Sequence, residues 1–84
     1  MRKLIIYSTV GCHLCEHATA LIFPFLKPLD IELVECDIAN SEQLIDEYGV
    51  RIPVLKLENT AQDLSWPFTE EDFKAYVAGS SSPG

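Results

Sequence analysis

Apolar residues fall in short blocks along this chain, and the period changes from block to block. Lys3-Leu4-Ile5-Ile6-Tyr7 is an almost uninterrupted apolar run, as expected of a central strand covered on both faces. Ser8 to Gly11 reads as a loop. From Glu16 to Leu26 the period becomes helical. At about 100° per residue, Leu14, Ala18, Leu21, Ile22 and Phe25 share one face. On the same geometry Cys15 lies roughly 60° from the centre of that face, and Cys12 lies further round toward solvent. Pro24 is expected to kink the last turn, and Pro28 to end the helix. Ile31 to Cys36 alternates, with Ile31 and Leu33 on one face and Val34 and Cys36 on the other, so it reads as a second strand. Strand, helix and strand in succession predict a parallel pair joined by a right-handed crossover.

Asn40 with Gln43 forms a candidate capping box. Leu44, Ile45 and Tyr48 give the short helix after it a buried face, and Gly49 is placed as its left-handed C-terminal residue. Pro53 to Leu57 reads as a third strand beginning at a proline. Glu58-Asn59-Thr60 is a turn, and Ala61 to Trp66 is a fourth strand that pairs with the third as a hairpin. Thr69 and Asp72 are spaced as an N-cap pair, and Phe68 and Phe73 as a hydrophobic staple. Phe73, Tyr76 and Val77 then supply the apolar face of a last helix. Residues 79–84, Gly-Ser-Ser-Ser-Pro-Gly, have nothing to bury and read as a flexible C-terminal tail. The predicted order is β-α-β-α-β-β-α, an α/β domain over 1–78 with a four-stranded mixed sheet flanked by three helices.

Composition narrows the class. With 84 residues there is room for one domain and a modest core. Nearly half of the residues are apolar, 48%, which separates the chain from disordered sequences. No apolar stretch is long enough to span a bilayer. The basic start Met1-Arg2-Lys3 is followed by an apolar run that Ser8, Thr9 and Gly11 break, with no small-residue cleavage site. No signal peptide is read there, and a reducing, cytoplasmic setting is expected. The net charge is −7, and the six Lys and Arg are scattered. Nucleic acid and anionic membrane surfaces are therefore poor partners, and a basic protein surface is a better one. A monomer is expected.

The chemistry concentrates in Cys12-His13-Leu14-Cys15, where the first strand gives way to a helix. Two thiols three positions apart can close a small disulfide with little rearrangement. A thiol at a helix start faces free N–H groups and the positive end of the dipole, which favours its thiolate. The same spacing is half of a zinc site, but no second CxxC or histidine pair completes four ligands. Three cysteines, an odd count, argue against a disulfide framework and for one catalytic pair plus Cys36, which reads as a packing residue. His13 and His17 share a helix face away from the core. Each reads as a solvated residue, with His13 a possible modulator of Cys12. Arg51 and Lys56 stand isolated.

Two motifs in this order and spacing, Gly11-Cys12-His13-Leu14-Cys15 after the first strand and Arg51-Ile52-Pro53-Val54 before the third, resemble those of glutaredoxin-like proteins of the thioredoxin superfamily. The resemblance covers nearly the whole chain and implies a thioredoxin-like, glutaredoxin-type fold. It implies thiol–disulfide oxidoreductase activity on a protein or small-molecule disulfide, with Cys12 as nucleophile and Cys15 as resolving thiol. It makes Pro53 a cis-proline facing the thiols, and leaves the backbone of Ile52 free to pair with an extended substrate.

The chain departs from the family pattern in three places. His13-Leu14 stands where glutaredoxins carry Pro-Tyr, a pair that tunes potential. Trp66-Pro67-Phe68-Thr69 replaces the Gly-Gly-x-Asp segment whose amides hold a glutathione carboxylate. Ser8-Thr9-Val10 stands where a lysine often precedes the motif. No bound cofactor is therefore expected, and glutathione is a weak or differently held electron donor. A thioredoxin-reductase-type enzyme is the other donor. Two alternatives remain beside the enzyme: a redox-gated protein-binding module, and an iron–sulfur or metal carrier, against which the missing glutathione segment counts.

Overall fold

The computed structural model describes residues 2–58 and 60–81. Asn59 of the expected turn and residues 82–84 of the expected tail lie outside them. The chain runs β1 (Arg2–Ser8), α1 (His13–Leu26), β2 (Ile31–Asp37), a 3₁₀ turn (Ile38–Asn40), α2 (Glu42–Tyr48), β3 (Val54–Leu57), β4 (Leu64–Ser65) and α3 (Glu70–Ser81). The predicted β-α-β-α-β-β-α order holds. The sheet order is β2-β1-β3-β4, with β1 parallel to β2 and antiparallel to β3, and β3 antiparallel to β4. Among the described residues no helix is long and apolar enough to cross a membrane.

The register divides the sheet into two faces. Leu4 pairs with Leu33 and Leu57, and Ile6 with Glu35 and Leu55. Leu4, Ile6, Leu55 and Leu57 form one buried core with Ala18 and Ile22 of α1 and Phe73 and Val77 of α3. Ser8, two residues on, continues this face toward the start of α1. On the opposite face the Tyr7 ring stacks on Tyr48 of α2, with centroids 4.2 Å apart.

The phase of α1 differs from the sequence expectation. Leu14 is half exposed, at 50%, whereas Cys15 is only 6% exposed and Ala18 and Ile22 are fully buried. The inward stripe is therefore Cys15, Ala18 and Ile22, spaced i, i+3, i+7, with Leu21 and Phe25 at its margin. Leu14 shifts outward because Cys15, Ala18 and Ile22 fix the phase of α1 against the sheet. Pro24 lies inside α1.

Three further boundaries move for local reasons. Asp37 caps the 3₁₀ turn by accepting the Ala39 amide at 2.9 Å, so α2 starts one residue later than expected. Ser41, not Asn40, is its N-cap, and the Leu44 amide donates to Ser41 Oγ at 3.3 Å. Gly49 is right-handed, not left-handed, with φ −52°. A Cβ there would fall on the Ile45 carbonyl, so close approach, not a positive φ, calls for glycine. β4 shrinks from the expected Ala61–Trp66 to two residues. The Gln62 carbonyl instead accepts the hydroxyls of Tyr76 at 2.7 Å and Thr60 at 2.8 Å. At the other end, α3 carries Gly79 to Ser81 in helix, where the tail was expected to begin.

Candidate functional site

Cys12 follows a tight turn. Gly11 takes φ +80°, in the left-handed region, and the Cys12 amide donates to the Thr9 carbonyl at 3.3 Å. Cys12 is the N-cap of α1, with extended backbone, and its Sγ accepts the Cys15 amide at 3.2 Å. A sulfur takes the place that a Ser or Asp oxygen fills in ordinary capping. This puts an N–H donor on Cys12 Sγ and holds both thiols on one helical turn. All three cysteines are free thiols.

The two thiols have unlike surroundings. Cys12 is half-buried and lines an open groove. Cys15 is buried, and burial pushes its thiol up to about 12, helped by the hydrogen bond to Cys12 and by the nearby charge of Glu35. Cys15 therefore rests protonated. Cys36 lies on the opposite sheet face beside Tyr7, its partner in register, away from the pair.

Ile52-Pro53 is a cis peptide, as the resemblance implies. Because Val54 pairs with Tyr7, Pro53 stands at the end of the sheet from which the Cys12 turn departs. Pro53 is buried and Ile52 is half-buried. Four contacts hold this segment. The Trp66 amide donates to the Pro53 carbonyl at 3.0 Å. Arg51 bonds both oxygens of Asp63, at 3.0 and 3.2 Å, and its guanidinium lies 5.4 Å from the Tyr48 ring centroid. Trp66 meets Phe68 edge to face at 5.2 Å. Arg51, isolated in the sequence, is thus a fastening of the Pro53 loop. Trp66-Pro67 is a second cis peptide, which the sequence did not signal.

His13 and Glu16 are both exposed, with Nδ1 3.7 Å from Oε2, at the rim beside Cys12. His17 is exposed and away from the groove. Among the described residues no three His, Cys, Asp or Glu side chains come together in a way that could hold a metal ion.

The start of α3, where glutaredoxins bind a glutathione carboxylate, carries an internal carboxylate. Asp72 accepts the Thr69 amide at 2.9 Å, and the Asp72 amide donates to Thr69 Oγ1 at 3.1 Å. This reciprocal cap leaves Glu70, Glu71 and Asp72 around the helix start, an arrangement that does not fit an incoming anion.

A groove of about 670 Å³ opens from the thiols toward β2 rather than toward Pro53. Thr19, Ala20, Phe23 and Pro24 of α1 form one wall, and Glu35 and Asp37 of β2 the other. Sequence reasoning missed it, because it exists only where α1 crosses over to the β2 edge. The exposed Phe23 was its one signal.

Comparisons with known proteins agree with this fold. The family model of the glutaredoxin-like domain (DUF836) matches residues 3–78. The solution structure of protein Ne2328 from Nitrosomonas europaea is 34% identical over 89% of each chain, with a TM-score of 0.78. The X-ray structure of protein XcR50 from X. campestris is 27% identical, covers 90% of this chain and 96% of its own, and gives a TM-score of 0.74. The first thioredoxin domain of mouse protein disulfide-isomerase A4 is 19% identical, with a TM-score of 0.66 over 98% of this chain and 64% of that one, a likeness of fold. No curated protein matches.

Proposed function

The chain belongs to the glutaredoxin-like domain family, and from that premise we propose that it is a dithiol thiol–disulfide oxidoreductase. The observation that carries this is the pair itself: Cys12 Sγ capping α1 with the Cys15 amide on it, half-open to a groove, and Cys15 buried one turn on. The Cys12 thiolate attacks one sulfur of a substrate disulfide. A Cys12–substrate mixed disulfide forms, and the other substrate sulfur leaves as a thiolate and takes a proton. Cys15 then loses its proton and attacks Cys12 Sγ. The Cys12–Cys15 disulfide forms, and the second substrate sulfur leaves as a thiol. The substrate gains two electrons, the protein loses two, and an external thiol reductant restores the dithiol.

The segment Ile52-Pro53 borders this reaction, with the Ile52 backbone as the strand-pairing surface. His13 is a rim residue that modulates the thiolate, and Cys12 and Cys15 do the chemistry. The internal cap at α3 disfavours tight glutathione binding, so any small-thiol donor acts by collision rather than from a built site. A cytoplasmic monomer without a bound cofactor fits the same picture.

Equilibration in glutathione buffers with alkylation of free thiols tests the proposal. A reversible two-electron couple between about −270 and −180 mV is expected, the range of known dithiol exchangers. Cys12→Ser is expected to abolish disulfide reductase turnover, and Cys15→Ser to leave the mixed disulfide trapped. Retained turnover in Cys12→Ser sinks the mechanism.

A further inference from the structure

The groove on the β2 side of the thiols has a chemistry of its own. Its charged groups are all carboxylates. Glu16, Glu35 and Asp37 line it, and no Lys, Arg or His does. Pro24 has no N–H to donate to the Ala20 carbonyl four residues back, so that carbonyl has no α-helical partner, and both residues line the wall. Ser8, only 5% exposed, also lines it. Its hydroxyl enters no side-chain hydrogen bond among the described residues, yet no buried side-chain oxygen there lacks a partner, so this one faces the open groove.

Some of these groups are engaged within the chain. Asp37 caps the 3₁₀ turn with one oxygen, and Glu16 stands near His13. Glu35 has neither hydrogen bond nor ion pair among the described residues. The apolar part of the wall is also unmatched, with Phe23 68% exposed and Val10, at the mouth, 89% exposed. β2 is the outer strand of the sheet, so its far edge offers backbone groups to an extended chain.

We propose that this groove docks the chain that flanks the disulfide of a protein substrate, an extended segment with a basic residue beside its cysteine and an apolar residue next to it. The proposal rests on the oxidoreductase function above and names the substrate class for it. The basic side chain brings N–H donors and positive charge to Glu35 and Asp37. The apolar one covers Phe23 and Pro24. An acidic flank would set its charge against three carboxylates in a chain of net charge −7. Opposed charge both selects the partner and raises its encounter rate.

The test uses two peptide disulfides, identical except for Lys or Glu beside each cysteine, with dithiothreitol as reductant. At low salt the Lys peptide is expected to lead by about tenfold in kcat/KM. The lead should shrink as ionic strength rises, and shrink several-fold in the double variant Glu35→Gln/Asp37→Asn. In parallel, the ¹⁵N-labelled Cys12→Ser/Cys15→Ser protein is titrated with the Lys peptide carrying Ser for Cys. Amide shifts are expected at Thr19, Ala20, Phe23 and Glu35. Equal kcat/KM for both peptides, or shifts centred on Ile52 and Trp66, overturns the docking site and leaves the oxidoreductase standing. Groove shifts without turnover of either peptide support the docking site and sink the oxidoreductase. Neither shifts nor turnover overturns both. Shifts at the same amides on concentrating the protein alone assign the groove to a second copy and overturn the proposal.

Discussion

On the β3 side of the Cys12 turn, side chains and backbone hold one another. Arg51 clamps Asp63, Trp66 bonds the Pro53 carbonyl, and Trp66 and Phe68 meet edge to face. On the β2 side fewer contacts do this, the Asp37 cap and the Glu16–His13 approach. Phe23 stands in solvent, Glu35 has no ion pair among the described residues, and the Ala20 carbonyl lacks its i+4 amide because Pro24 has none. The β3 flank stands at the sheet end from which the Cys12 turn departs, and the β2 flank lines one groove with both thiols. The first spends its polar groups on internal order, and so sets where the Pro53 backbone stands. The second leaves Glu35 and the Phe23 ring open to solvent. A fixed flank and an unfilled flank separate positioning from selection.

The contrast can be broken at its foundation. Phe73 is fully buried beneath both flanks, between α1 and the sheet, with its ring 6.4 Å from Phe25. Phe73→Ala is expected to cost about 3–5 kcal/mol in urea unfolding. That is a large part of the total of about 5–15 kcal/mol usual for a domain. A loss below about 1 kcal/mol would mean that the core is not shared in this way.

The thiols themselves sharpen it. Cys15 has an ordinary value of 9.0, and burial raises it to about 12 in the folded chain. The folded state therefore holds the Cys15 proton more tightly than the unfolded state does. The stability this contributes is fully present below pH 9 and is lost as pH rises from 9 toward 12. Unfolding free energy is expected to fall over that window in wild type, and to fall less in Cys15→Ala. For the same reason, release of a trapped Cys12 mixed disulfide should speed up with pH, through and beyond neutrality.

The smallest effects test the flanks directly. Arg51→Ala removes a part-exposed ion pair and is expected to cost about 1 kcal/mol or less. It should also perturb the amide resonances of Ile52 and Trp66. Phe23→Ser removes an exposed side chain and should change stability by less than about 0.5 kcal/mol, with no shift at Trp66. If Phe23→Ser proved the more destabilising of the two, the β2 flank would be part of the core rather than a groove.

What the sequence made legible were features carried by neighbours in the chain. The strand periods of Leu4–Tyr7 and Ile31–Cys36, the CxxC at a strand–helix turn, and the Thr69/Asp72 cap with its Phe68–Phe73 staple all lie within a few residues of one another. Leu14 was misplaced by a narrower cause. Its apolar side chain fits the helical stripe, but the stripe's phase is fixed by Cys15, Ala18 and Ile22 against the sheet. The Arg51–Asp63 clamp joins residues twelve apart across a loop and a strand, and nothing in either residue's vicinity announces the other. The groove needs α1 and β2 to be placed before it exists. Local signals therefore gave the elements and the thiols, while the flanks that distinguish this site came from tertiary neighbours.

The two edge strands of the sheet differ in length and charge. β4 is two residues long and offers little to pair with. β2 is seven residues long, and along it Glu32, Glu35 and Asp37 repeat a negative charge. Two copies meeting edge to edge there would bring these carboxylates together, which opposes growth of a continuous sheet. Neutralising them by acid or by substitution would remove that barrier while leaving the hydrogen-bonding edge intact. The charges on β2 thus act as gatekeepers against aggregation in a small protein with an open strand.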